Sequence, residues 1–142
     1  MTMMKLTKSD YPLAEKRPEL IKGRGGKGLD DITLERLVAG DVSLDDLRIT
    51  PAALRMQAEI AGAAGRDRLA GNFERAAELV AVPQEVLMEI YELLRPGRAT
   101  DKAPLLTAAQ KLRETYGATQ MARFVEEAAE VYERRGLFTY RF

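Results

Sequence analysis

From residue 33 onward, apolar residues recur at the three- and four-residue intervals of an α-helix. In the stretch GRDRLAGNFERAAEL, residues 65–79, they follow the spacing i, i+4, i+7, i+8, which belongs to one face of a helix and not to a strand. Capping and breaking residues divide the pattern: Thr50 precedes Pro51, Pro83 precedes another apolar period, and glycines follow the expected helix ends. The sequence therefore predicts an all-α fold of about five main helices.

Two shorter helical elements are predicted before Thr50. Thr33 is placed as the N-cap of a short helix that ends before Gly40. Ser43, with Asp46 three residues later, resembles a capping box in which the shorter acid replaces Glu.

The first 28 residues differ in composition from the rest of the chain. They contain seven Lys or Arg against three Asp or Glu, and four glycines crowd residues 23–28. Pro12 and Pro18 disfavour helix immediately before them. We predict an extended N-terminal arm over residues 1–28 and a helical domain over residues 29–142. Since the arm's apolar residues have no helical period, we expect the arm to lie on a partner and the body to fold without it.

The residue inventory excludes several classes of chemistry. The sequence contains no cysteine and no histidine, which excludes disulfides, thiolate and imidazole catalysis and the usual zinc sites. Its net charge is zero, so the total gives no indication of binding to nucleic acid or membrane. No apolar run approaches the roughly 18 residues of a transmembrane helix, and no secretion signal is apparent. We expect a soluble cytoplasmic protein.

No motif in the sequence predicts a catalytic, cofactor-binding or metal-binding residue. Gly23, Gly25 and Gly28 match the G-x-G-x-x-G pattern, but no strand precedes them and no helix opens from them, so we predict a flexible loop. Adjacent carboxylates lack a neighbouring nucleophile or metal ligand, and we interpret them as caps or solvated charges. These pairs are Asp30 with Asp31, Asp45 with Asp46, and Glu126 with Glu127.

The helix predicted over residues 65–79 separates its side chains into stripes. One stripe is acidic, another holds Arg68, Asn72 and Arg75, and the apolar side, which includes Phe73, is predicted to face the core. We predict that the basic stripe docks on a partner; a merely solvated face is the alternative. The residues predicted to dock are Arg68, Asn72, Arg75, Tyr11 and Leu13.

The C-terminal residues Phe138, Tyr140 and Phe142 place three aromatic side chains beyond the last predicted helix. Packing on the chain's own helices and burial against another chain both remain open.

Several stretches together resemble one family, the small (gamma) subunits of adenosylcobalamin-dependent diol dehydratases and the related glycerol dehydratases. The resemblance covers nearly the whole chain. It is carried by SDYPLAEKRPE at 9–19, LDDITLERLVAGDV at 29–42, DLRITPAALRMQAEIA at 46–61, GRDRLAGNFERAAELVAVP at 65–83, EIYELLRP at 89–96 and FVEEAAEVYERR at 124–135.

The resemblance implies a helical subunit that works with a large (alpha) and a medium (beta) subunit in a dimer of heterotrimers. It also implies that the partner subunits hold adenosylcobalamin and the substrate, a 1,2-diol that is dehydrated to an aldehyde. The charges of residues 65–79 would then serve assembly. A glycerol dehydratase small subunit and a free-standing helical adaptor are the alternatives.

The location of the chain is also predicted from this resemblance. Family members directed to bacterial microcompartments can carry an amphipathic extension before the motif that begins here at Ser9. Only eight residues precede Ser9, which is too few for a stable helix. We therefore expect any encapsulation to come from a companion subunit.

Overall fold

The computed structural model of the chain describes residues 5–139. Short 3₁₀ turns at Lys8–Asp10, Pro18–Leu20, Leu29–Asp31 and Leu44–Leu47 precede the long helices. The α-helices are α1 (Leu13–Lys16), α2 (Leu34–Val38), α3 (Pro51–Ala63), α4 (Asp67–Leu79), α5 (Gln84–Leu94), α6 (Ala103–Tyr116) and α7 (Thr119–Arg134). Within the described range, the only β pairing is an isolated bridge between Lys22 and Gly28. The predicted all-α class is confirmed, and α3 to α7 are the main helices.

Helices α2 and α3 begin where the capping residues predicted. The Thr33 hydroxyl oxygen accepts a hydrogen bond from the Arg36 backbone N–H at 3.3 Å. The Thr50 hydroxyl oxygen accepts one from the Ala53 N–H at 3.1 Å. Pro51 occupies the first turn of α3, where its missing N–H would have had no helical partner. Local caps therefore determine these two boundaries.

Contacts divide the chain into two compact units, Met1–Val80 and Ala81–Phe142. In the first unit, α3 and α4 pack against each other as a helical hairpin joined by residues 64–66. Gly65, with a φ of 74°, makes the turn in a left-handed conformation that other residues rarely adopt.

The N-terminal arm packs on this hairpin. Leu6 and Leu13 are buried in one cluster with Ile60 of α3. The Leu6 N–H donates to a carboxylate oxygen of Glu59 at 3.0 Å. The expectation that the arm finds its surface on a partner is corrected, because α3 supplies an apolar face within the same unit. The arm is also not extended throughout, since it contains α1 and two 3₁₀ turns.

The glycine-rich loop closes around Asp46. The Gly23 N–H donates to the Lys27 carbonyl oxygen at 2.9 Å, and the Lys27 ammonium lies 3.1 Å from the Asp46 carboxylate. Asp46 also accepts the Ser43 N–H at 2.9 Å, as the capping box predicts. The Ser43 N–H and the Lys27 ammonium hold the pKa of the Asp46 carboxyl below its usual value. Residues 22–28 and Asp46 thus form a closed arrangement, the Asp46 clasp, in place of the predicted flexible loop.

Gly23→Ala is expected to destabilise the first unit by about 1 to 3 kcal/mol, because the new Cβ would overlap the backbone carbonyl oxygen of Asp46. Urea denaturation followed by circular dichroism measures the change. Gly62→Ala is the matched control: Gly62 lies in α3 with open space where its Cβ would be, so alanine should leave stability unchanged or raise it. Equal stability of the two variants would contradict the tight packing of the clasp.

In the second unit, α6 and α7 form another hairpin, and α5 packs against α6. Leu105 and Leu112 of α6 and Val125 of α7 are fully buried, and most of their buried neighbours in sequence are alanines. Arg113 of α6 binds Glu126 of α7 through two hydrogen bonds of 2.7 and 2.9 Å. Small side chains allow the two helices to approach closely, and the ion pair links them at the edge of that contact.

Tyr132 of α7 links two further parts of the second unit. Its hydroxyl donates to the Leu94 carbonyl oxygen at the end of α5, at 2.5 Å. Its ring meets Phe138 edge to face, with 6.1 Å between ring centroids. Phe138 therefore packs on the chain's own helix, whereas Tyr140 and Phe142 lie outside the described residues.

Candidate docking surface

At least one member of each adjacent carboxylate pair identified in the sequence has a structural partner. Asp31 accepts the Gly28 N–H at 2.9 Å and an Arg36 guanidinium N–H at 2.8 Å. The Gly28 N–H, followed by Arg36, lowers the pKa of Asp31, and the Arg113 guanidinium lowers the pKa of Glu126. A lowered pKa keeps a carboxylate ionised at neutral pH. An ionised carboxylate accepts hydrogen bonds and has no proton to donate, so these groups serve as structural acceptors. For these residues, the interpretation as caps and ion-pair partners is confirmed.

Within residues 5–139, no group of three or more Cys, His, Asp or Glu is arranged to hold a metal ion. No helix in that range is both long and apolar enough to cross a membrane.

A groove of about 740 Å³ opens in the first unit between the arm, α3 and α4. Tyr11 and Pro12 of the arm, Ile60 of α3, and Leu69 and Phe73 of α4 are among the residues that line it. Tyr11 is 69% exposed and Leu69 is 37% exposed. Aromatic and aliphatic side chains therefore remain accessible to another molecule on this side of the hairpin.

The apolar side of α4 is less buried than the sequence predicted. Ala77 is the buried residue of this helix, whereas Phe73 is only half-buried and lines the groove. The prediction that Phe73 is a core residue is therefore corrected: it forms part of the groove wall.

The basic stripe of α4 lies at the surface, with two of its members joined. Arg68 and Asn72 are exposed, and the Arg75 guanidinium donates to the Asn72 side-chain oxygen. Glu74, from the neighbouring acidic stripe, lies 3.9 Å from Arg55 of α3, an exposed pair that contributes little to stability. Glu74 and Arg75 thus have partners on their own hairpin, and the docking role of Arg68, Asn72 and Arg75 stays a prediction.

The two arm residues predicted to dock have different environments. Tyr11 is exposed at the groove, and its docking role stays a prediction. Leu13 is buried against Ile60, so its side chain contacts its own unit. The docking assignment of Leu13 is corrected for this reason.

Sequence reasoning missed a second surface, formed by residues 29–49. Six large apolar side chains in this segment are 48% to 81% exposed: Leu34, Leu37, Val38, Leu44, Leu47 and Ile49. A signal was present in the sequence, because helices of four or five residues are too short to bury an apolar face among themselves. We call residues 29–49 the apolar segment.

Comparison with known proteins gives one consistent result. The chain matches the family model described as dehydratase small subunit over residues 6–139. The propanediol dehydratase small subunit of Salmonella typhimurium (strain LT2) is 55% identical over 127 residues, which cover 89% of this chain and 73% of the relative. The propanediol dehydratase small subunit of Citrobacter freundii is 54% identical over an alignment of the same length and coverage. The family match extends through both compact units.

Proposed function

The chain belongs to the dehydratase small-subunit family, and from this membership we propose that it is the small, non-catalytic subunit of a propanediol dehydratase. Such an enzyme is a hydro-lyase that converts 1,2-diols such as propane-1,2-diol to aldehydes. The observation that carries the proposal is identity of about 55% over 89% of the chain to proteins of that name. Their names favour propanediol over glycerol as the substrate of the whole enzyme, and a free-standing adaptor would not explain the family match.

We assign the cofactor, adenosylcobalamin, to companion subunits. The residues of this chain do not fit that group: the sequence has no histidine, and the described residues form no parallel sheet at which a nucleotide portion could bind. The groove of the first unit is lined mainly by apolar side chains of the arm and the hairpin. No catalytic step is assigned to this chain.

The contribution that we propose for the chain is assembly. Its partners would be a large (alpha) and a medium (beta) subunit in a dimer of heterotrimers, located in the cytoplasm, with any entry into a microcompartment directed by a companion subunit. Three features support this role: accessible apolar side chains at the groove, the basic stripe of α4 and the apolar segment.

Co-expression tests the proposed function. The chain is expected to co-purify with the large and medium propanediol dehydratase subunits of the same organism, and the complex supplied with adenosylcobalamin should convert propane-1,2-diol to propanal. Omitting this chain should lower the yield of soluble assembled enzyme. Failure of the wild-type chain to co-purify, or full assembly and activity without it, would contradict the proposal.

Calorimetry of the purified chain tests the assignment of the cofactor. We expect no one-to-one complex with adenosylcobalamin tighter than about 10 μM, which corresponds to roughly −7 kcal/mol. The assembled enzyme is the positive control for the same titration. Tighter binding by the isolated chain would mean that the cofactor site includes this subunit.

A further inference from the structure

The apolar segment exposes more large apolar side chains than its own unit can cover. Leu34 is 71% exposed, Val38 is 80% exposed and Leu44 is 81% exposed. Helix α2 contains no buried residue at all. Large apolar side chains exposed in such number mark a contact with another molecule.

The backbone presents these side chains on common faces. Leu34, Leu37 and Val38 are spaced i, i+3, i+4 in α2, so they lie on one side of that helix. Leu44 and Leu47 are three residues apart in a 3₁₀ turn, where residues at i and i+3 eclipse. Each short helix therefore offers a row of apolar side chains in place of a scattered few.

The Asp46 clasp holds part of this surface in place. Asp46 lies between Leu44 and Leu47 in the chain, and its carboxylate is turned into the loop where Lys27 binds it at 3.1 Å. The two leucines are 81% and 61% exposed while Asp46 is 7% exposed. Leucine is usually buried and aspartate is usually exposed, so this turn reverses the usual preference. The fixed geometry lowers the ordering cost of binding a partner.

The charge of the apolar segment indicates the chemistry of what it contacts. Residues 29–49 contain six Asp or Glu against two Arg, a difference of four negative charges. Asp31, Asp45 and Asp46 have ion-pair partners within the first unit. Asp30, Glu35 and Asp41 are exposed and form no ion pair among the residues described. A complementary surface would be apolar at its centre and bordered by Lys or Arg.

We infer that the apolar segment docks on a companion dehydratase subunit, at an apolar surface bordered by basic side chains. The inference rests on the proposed function and extends it, because it assigns the contact to residues 29–49 and states the chemistry of the opposing surface. The apolar rows of α2 and the 44–47 turn supply the contact area, and the unpaired acids set its orientation.

The first test uses variants of the full chain co-expressed with the large and medium subunits. Leu34→Lys and Leu44→Lys should each weaken association with the companion subunits by roughly tenfold or more, because a charge is buried where an apolar contact was. Met88→Lys is the matched control, since Met88 lies on α5 and is 51% exposed. Circular dichroism of each purified variant should match the wild type, because all three side chains are already exposed.

The sign of the introduced charge provides the second test. Leu34→Glu removes the same apolar contact as Leu34→Lys but places an acid against the basic border, so it should weaken association less than the lysine variant does. Replacing Asp30, Glu35 and Asp41 together by their amides should weaken association at low salt and reduce its salt dependence. If Leu34→Glu weakened association as much as Leu34→Lys does, or more, the inference that basic side chains border the opposing surface would be wrong.

The outcomes separate this inference from the proposed function. If the wild-type chain fails to co-purify, the proposed function is wrong. If the wild type and the Leu34→Lys and Leu44→Lys variants co-purify equally well, the apolar segment is not the docking surface, although the subunit role stands. If sedimentation shows that the isolated chain dimerises and Leu44→Lys abolishes the dimer without affecting the complex, the segment contacts a second copy and the inference is overturned.

Discussion

Deleting residues 1–28 is expected to destabilise the first unit by about 3 to 6 kcal/mol, since burial of a leucine side chain contributes roughly 1.5 to 3 kcal/mol and two are lost. Leu6 and Leu13 are 5% and 7% exposed beside Ile60 of α3. The deletion also removes Lys27, whose ammonium pairs with the buried Asp46 carboxylate. The truncated chain should therefore lose its helical circular dichroism signal at a lower urea concentration than the full chain. This expectation reverses the sequence-based prediction that the body folds without its arm.

Point variants test the contribution of single arm residues to stability without shortening the chain. Leu13→Ala should lower the free energy of unfolding by about 2 to 5 kcal/mol, because it leaves a cavity beside Ile60. Tyr11→Ala is the control from the same arm, and it should change stability by at most about 0.5 kcal/mol because Tyr11 is 69% exposed. A truncated chain that melts like the full chain would show that the arm contributes nothing to its own unit.

Leu112→Ala is the second substitution expected to have a large effect, a loss of about 2 to 5 kcal/mol. Leu112 is 0% exposed and lies on α6 among alanines that cannot expand to fill the vacated volume. The second unit has few large core side chains, so each one accounts for a large share of its packing.

Leu106→Ala, on the same helix, provides the comparison for Leu112→Ala. Leu106 is 41% exposed, so its truncation should cost well under half as much. Urea denaturation of both variants, followed by circular dichroism, measures the difference. Similar losses for the two leucines would mean that α6 is not packed with Leu112 inward.

The helical class and several helix starts were predictable because their causes are local. Thr33 caps α2 through an N–H three residues away, and Thr50 does the same for α3. The Ser43 and Asp46 capping box also formed as predicted. In each case the interacting groups are within a few residues of one another, so reading the sequence in order was sufficient.

The candidate surfaces were predicted less well because exposure depends on distant residues. Arg68, Asn72 and Tyr11 lie at the surface as expected, but Leu13 does not. The apolar segment was missed altogether. The apolar residues of α2 have the same i, i+3, i+4 spacing as the buried residues Leu105, Ala108 and Ala109 of α6. Spacing alone cannot distinguish a row that another helix covers from a row that is left open.

The sequence by itself determined that the chain is helical, where several helices begin, and the family to which it belongs, because propensity, caps and motif residues act over one or two turns. Only the tertiary structure decided which apolar faces are covered. Leu6 is buried beside a helix whose Glu59 is 53 residues away, the glycine loop closes on Asp46, 19 residues beyond Lys27, and Leu44 remains open to solvent. Burial depends on contacts between residues that the fold brings together from distant parts of the chain, and the spacing of residues along one helix does not predict those contacts.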